Sequence, residues 1–206
     1  MSLSSKQVFE RFVPEGAVGY CDELYNRLNF EFKIKNSRKT KMGDYRFDHR
    51  TGKQTITVNN DLNSYSFLIT YLHEVAHLLT FDQYGRRVAP HGKEWKDTFK
   101  KLLHPVMNEQ IFPPDVLLAL KNHFNSPKAT SCSDPVLYQL LRGYDGDTDE
   151  VLLKEVPVGT LFEFNGKQYK KLEVRRTRAI CQEVTSKKKY LIALIAGVTP
   201  TSSNES

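Results

Sequence analysis

The chain has 206 residues, 39% hydrophobic and 26% charged, with a formal net charge of +6. That length and balance exclude a disordered or fibrous chain and suit one globular domain with a small appendix. The basic excess points to an anionic partner, nucleic acid first, against the plainer reading of a solvated basic surface.

Residues Ser5 to Leu28 carry an apolar stripe at helical spacing, interrupted near Pro14 and Gly16, which predicts two helices. Asn29 to Asn36 alternates, with Phe30, Phe32 and Ile34 on one face and Glu31, Lys33 and Lys35 on the other, the pattern of a half-buried strand. Arg38, Lys39 and Lys41 follow in a polar turn. Tyr45 to His49 and Gln54 to Asn59 read as a hairpin around Thr51-Gly52, with His49 a surface residue. The second hairpin strand is expected nearest the following helix.

Ser64 to Phe81 is an apolar run of helix length, and inside it stands His73-Glu74-Val75-Ala76-His77. Positions i and i+4 share a helix face, so the two imidazoles can hold one metal ion between them. Glu74 is placed to take a proton from a water on that ion. A core helix with two satisfied histidines is the alternative, but two His and a Glu in such a run are costly to bury without a partner. Asn63 or Ser64 could cap this helix, and Gly85 could stop it.

A catalytic zinc needs a third protein ligand. Glu94 on the next helix is one candidate. His91 is the stronger one, because it follows the Asp82 to Pro90 loop and opens a segment with Trp95, Phe99, Leu102 and Leu103 in helical register. Arg86 and Arg87 are expected near the cleft mouth, and Tyr84 is one candidate for assisting an oxyanion. Lys93, Lys96, Lys100 and Lys101 form an outer stripe on that helix, either solvated or phosphate-contacting. His104 is expected at its C-terminal end.

Pro113-Pro114-Asp115 starts a further helix through Phe124. Asn125 to Ser133 reads as a boundary, Asp134 to Leu141 as a short helix, and Tyr144 to Glu150 as an acidic loop without the glutamate of a calcium hand. Beyond Val156 the period changes from 3.6 to 2, and Asn165-Gly166 between two strand-like runs signals a hairpin. About four strands are expected in a small β-sheet or barrel module. Lys167, Lys170, Lys171, Arg175, Arg176, Arg178, Lys187, Lys188 and Lys189 cluster there, with Phe164 and Tyr169 between them. That mixture fits nucleic-acid binding, single-stranded or duplex, which the clustering favours over the plainer reading of lysine-guarded edge strands.

Cys21, Cys132 and Cys181 are odd in number and widely spaced, which argues for a reducing compartment and against a disulfide framework. The start lacks the apolar core of a secretory signal, and Leu191 to Val198 is too short to span a bilayer, so the expectation is a cytoplasmic protein with no membrane.

HEVAHLLTF, a short loop and then HGKEWK, preceded by RKTKMGDYRFDHRTGKQTITVNNDLNSYSFLIT, resembles the SprT-like metallopeptidases, the bacterial relatives of Spartan, from about Asn26 to Leu103. The resemblance implies an α+β, zincin-like minimal metallopeptidase domain, helices plus a small three-stranded sheet, followed by the C-terminal β module. It implies His73, His77 and His91 as Zn²⁺ ligands and Glu74 as catalytic base, and the strand Gln54 to Asn59 as an edge that pairs with extended substrate backbone. Spartan proteins cleave proteins crosslinked to DNA; for this chain the expectation of a protein substrate near nucleic acid comes from its basic charge. Some members carry a C-terminal zinc ribbon, whereas here only Cys181 lies near that region. The expected organisation is a metallopeptidase domain over 1–125, a linker with a short helix over 126–150, a basic β module over 151–198 and a disordered tail over 199–206. The competing reading is a nucleic-acid-binding or scaffolding protein whose zinc site is structural or silent.

Overall fold

The structure, a computed structural model, describes residues 4–38, 41–125, 135–146 and 150–201. The chain is α+β and divides into two compact units, Met1–Gly146 and Asp147–Ser206.

In the first unit, α1 (Ser5–Phe12) starts at a capping box: Ser4 Oγ accepts from the Gln7 backbone while the Ser4 N–H donates to Gln7 Oε1. A 3-10 turn at Glu15–Ala17 absorbs the Pro14 break and leads into α2 (Val18–Arg27). The alternating segment forms β1 (Glu31–Lys35), and the hairpin forms β2 (Gly43–Phe47) and β3 (Gln54–Asn59). The strand order is β1-β3-β2, with β1 parallel and β2 antiparallel to β3.

This order corrects one expectation. β3 is the central strand, paired on both sides, and so not an edge; it packs on the long helix as expected, and so does the edge strand β2. The parallel β1–β3 pairing uses the side of β3 that a simple hairpin would leave open.

That helix, α3 (Ser64–Tyr84), has 21 residues, about 32 Å of axis. Asn63 caps it by accepting from Ser66 N at 2.9 Å, and Gly85, at a positive φ of 62°, stops it. Its apolar residues run all round the axis: Phe67, Leu68, Tyr71, Leu72, Val75 and Leu78 are fully buried. The sheet and α1 cover one side through Phe9, Phe32 and Tyr71, whose rings lie 5.0–5.5 Å apart. On another side packs α4 (Lys93–Leu103), burying Trp95, Phe99, Leu102 and Leu103; His104 is its C-cap.

α5 (Pro114–Asn125) and α6 (Pro135–Arg142) complete the unit. The helix expected inside a linker is α6, and it belongs to this core: Leu137 and Leu141 are buried there, and Asn63 Nδ2 donates to Leu141 O. Residues 126–134, with Cys132 among them, and part of the acidic stretch, 147–149, lie outside the described residues.

The second unit has six strands where about four were expected, in the order β4-β9-β5-β6-β7-β8. β5 (Leu161–Phe164), β6 (Lys167–Val174), β7 (Arg178–Glu183) and β8 (Lys189–Ala193) follow the alternating pattern. Asn165 and Gly166 both have positive φ, 55° and 71°, as a tight two-residue hairpin requires. The two additional strands are β4 (Val151–Leu152) and β9 (Gly197–Pro200), too short to show a period. β9 extends into the segment expected as a tail, and the Thr201 N–H donates to Leu161 O; 202–206 lie outside the described residues. Among the described residues, no helix is long and apolar enough to cross a membrane.

Candidate metal centre

Three side chains from two segments meet at the middle of the first unit. His73 and His77 stand one turn apart on α3, and His91 comes from the turn before α4. Their Nε2 atoms form a nearly equilateral triangle: 3.2 Å between His73 and His77, 3.0 Å between His77 and His91, 3.2 Å between His91 and His73. A tetrahedral ion with nitrogens at 2.0–2.1 Å sets its ligand atoms about 3.3 Å apart. The triangle therefore fits one transition-metal ion, and these three residues could hold it. Among the described residues they form the one such cluster; Glu94 is outside it and lies near Gly92.

The local chain explains how His91 arrives. Its backbone is left-handed, with φ 59°, which turns the imidazole back toward α3. The next residue is Gly92, the N-cap of α4, where a Cβ would come within 2.9 Å of Ala89 O. Trp95 then backs all three ligands, with ring centroids 4.6 Å from His73 and His91 and 5.3 Å from His77, and it stacks on Phe99 at 5.0 Å. The indole is held by these ring contacts, since its Nε1 has no hydrogen-bond partner among the described residues.

Electrostatics keep the cluster ready for a cation. Burial, then the neighbouring imidazoles of His77, His91 and His123, pushes His73 down to about 2. Burial followed by His91 pushes His77 down to about 4, and burial followed by Lys96 lowers His91. All three are therefore neutral near pH 7, as metal ligands must be.

Glu74 turns the other way, toward the sheet. It is 7% exposed, and burial, then Asp44, pushes its carboxyl up to about 8. A backbone hydrogen bond from Tyr45, with Arg38 and Lys41 nearby, opposes that shift. Gly43 on β2 lies against it: a Cβ there would meet Glu74 Oε1 at 2.7 Å and Thr70 Cγ2 at 2.7 Å. A cation in the triangle would favour the ionised form of this carboxyl. Glu74 follows His73 directly on α3, so one turn of the helix carries both a proton acceptor and ligands for a Lewis acid.

Beyond His77 the site opens into a cleft between β2, the last turns of α3 and the Gly85–Pro90 loop. Arg86 lines it and touches His49, which is exposed and packs on Phe47. Arg87 is exposed, and Tyr84 ends α3 without lining the cleft. Tyr45, Gly43 and Trp95 shape the site and were not singled out from sequence as site residues. Trp95 was legible only as an apolar position of α4, and nothing local distinguishes Gly43.

The basic residues of the second unit do not form one patch. Arg175, Arg176 and Arg178 lie at the β6–β7 turn, whereas Lys187, Lys188 and Lys189 lie at the β7–β8 turn, beside the start of β6 with Lys167. Lys170 is exposed mid-strand. Lys167 pairs with Glu183 at 3.0 Å. Lys171 is excluded from any surface role: it is 2% exposed, and its Nζ donates to Leu153 O at 2.7 Å and to Val156 O. It shares a sheet face with buried Tyr169 and satisfies carbonyls of a buried turn.

The family model for the SprT-like family matches residues 6–112. Protein SprT of Pectobacterium atrosepticum is 56% identical over 32 residues, 16% of this chain and 18% of that protein. Protein SprT of Glaesserella parasuis is 58% identical over 31 residues, 15% of this chain and 19% of that protein. The alignments span less than a fifth of either relative. No solved structure matches.

Proposed function

The chain belongs to the SprT-like family, and from that premise we propose that it is a zinc-dependent endopeptidase with a zincin-type catalytic unit. The observation that supports this best is the convergence of His73, His77 and His91 within 3.0–3.2 Å beside a buried Glu74. When bound, Zn²⁺ supplies a Lewis acid that acidifies water and polarises a scissile carbonyl. His73 and His77 hold it from one helix, and His91 closes the set from a rigid turn. Glu74 accepts the proton of the attacking water and returns it to the leaving amine. The Tyr45 backbone hydrogen bond fixes the carboxylate for both transfers. The free edge of β2 pairs with extended substrate backbone alongside.

The test is zinc content together with cleavage of an unfolded protein. Glu74→Gln should keep the metal and lose cleavage, and His77→Ala should lose both. Wild-type cleavage rates in Glu74→Gln would remove the assigned base.

The substrate class we propose is protein associated with nucleic acid. Support comes from the net charge of +6 and from the exposed basic residues at the two β-turns of the second unit. A structural or silent zinc site in a nucleic-acid-binding protein is the second reading. The buried carboxyl of Glu74 weighs against it, because a structural site has no use for an acid that is costly to bury.

A further inference from the structure

The cleft beyond His77 has a volume of about 350 Å³, and the catalytic groups do not fill it. Its walls are apolar: Tyr45 and Phe47 from β2, Phe81 from α3, Val88 and Pro90 from the loop, and Trp95 behind. That volume lies at the lower end of the roughly 300–1,000 Å³ of small-ligand sites, enough for one bulky side chain and too little for a folded element.

The walls are stiff. Tyr45 OH donates to Gln54 Oε1 at 2.7 Å, and Gln54 Nε2 donates to Asp82 Oδ1 at 2.9 Å, tying β2 and β3 to α3. Phe47 and Phe81 pack with ring centroids 4.6 Å apart, and Tyr45 meets Phe81 at 6.0 Å. The tyrosine hydroxyl is thereby occupied, so the wall offers the cleft its ring. Arg86 and His49, in contact, close the outer end.

Position gives the cleft its meaning. β2 runs from Gly43, against Glu74, to Phe47, in the cleft wall. A backbone lying along that edge passes the general base and, a residue or two later, sets a side chain over the cleft, since alternate side chains point to one face. We propose that this cleft is a specificity subsite that takes a large apolar side chain, aromatic or Leu and Met, of a substrate residue next to the scissile bond. The inference rests on the peptidase reading of the adjoining metal centre.

The experiment uses full-length, zinc-loaded protein and two Ser/Gly-based peptides that differ only by one central Phe. In the Glu74→Gln variant, binding by anisotropy should be at least ~10-fold tighter for the Phe peptide, the scale at which an apolar pocket discriminates. Val88→Trp, which fills the cleft, should remove that difference without changing zinc content. Ala89→Trp, at an exposed lining position, is the second blocking variant should Val88→Trp fold poorly. With wild-type Glu74, the cut should fall at a fixed distance from Phe. Equal binding of both peptides, or cleavage indifferent to Phe, overturns the subsite and leaves the peptidase reading standing. Phe-dependent binding with no cleavage by the zinc-loaded wild type overturns the peptidase reading, and with it the role in cleavage.

Discussion

Gly43 and Glu74 are in van der Waals conflict for any residue but glycine at position 43: a Cβ there would stand 2.7 Å from Oε1 and 2.9 Å from Cγ of Glu74. The strand proposed to hold substrate and the acid proposed to move its proton are therefore fitted to each other. Gly43→Ala should push the carboxylate away from the Tyr45 N–H and the metal. Cleavage should fall at least ~10-fold, because a misplacement of about an ångström costs up to a hundredfold. Zinc content should hold, since no ligand has moved. Unchanged kcat/KM in this variant would show that the carboxylate tolerates the displacement.

The metal-free protein should be most stable near pH 6.5. His73 and His77 are held below their ordinary 6.5, to about 2 and about 4, so the unfolded chain binds their protons first and stability falls as pH drops below 6.5. Glu74 is raised from 4.5 to about 8, so the folded form binds its proton more tightly, and stability falls as pH rises from 4.5 through 8. Between 4.5 and 6.5 the two histidines outweigh the one acid, and above 6.5 the acid acts alone. Thermal midpoints against pH, read with chelator present, should show this maximum. Glu74→Gln should flatten the alkaline limb and steepen the acid limb between 4.5 and 6.5, where the acid opposes the histidines.

His91→Ala should weaken zinc binding by more than the roughly 10–100-fold that loss of an outer-shell partner costs. Glu94→Ala should leave it within experimental error, because Glu94 is outside the nitrogen triangle. Competition titration with a chromogenic chelator reads both. A loss with Glu94→Ala matching that of His91→Ala would reassign the third ligand.

Lys171→Met should destabilise the second unit by about 1–3 kcal/mol, since it strands the Val156 carbonyl and leaves Leu153 O with only the Val156 N–H as donor. Lys170→Met, on the exposed face, should stay within about 0.5 kcal/mol. Denaturant melts of the full chain, followed by the second transition, separate the two.

Charge reversal should distinguish the two ends of the second unit. Lys187, Lys188 and Lys189 changed together to Glu, or Arg175, Arg176 and Arg178 likewise, should each weaken DNA binding and lower its salt slope by about the number of phosphates released. A slope unmoved by either triple variant would place nucleic-acid contact elsewhere.

Much of this was legible because it is local. His73 and His77 need only helical periodicity, and the Asn165-Gly166 turn needs only its two residues. His91 was legible from its place at the start of an amphipathic helix. Sheet order was not, because the β1–β3 pairing joins segments that nothing between them announces. β4 and β9 escaped because strands of two and four residues carry no period. Lys171 is different: two positions past Tyr169 in a strand registered by a tight turn, its inward direction follows from parity, and its charge hid it.

The edge strand β2 has five residues, roughly 16 Å of extended chain at about 3.3 Å each. If β2 grips substrate as proposed, a grip that short would see neither the shape nor the identity of a whole target. What it requires is slack: a tail, a loop or a locally melted stretch long enough to lie flat along Gly43 to Phe47. Damage that loosens a protein would then matter more to its fate here than the sequence it carries.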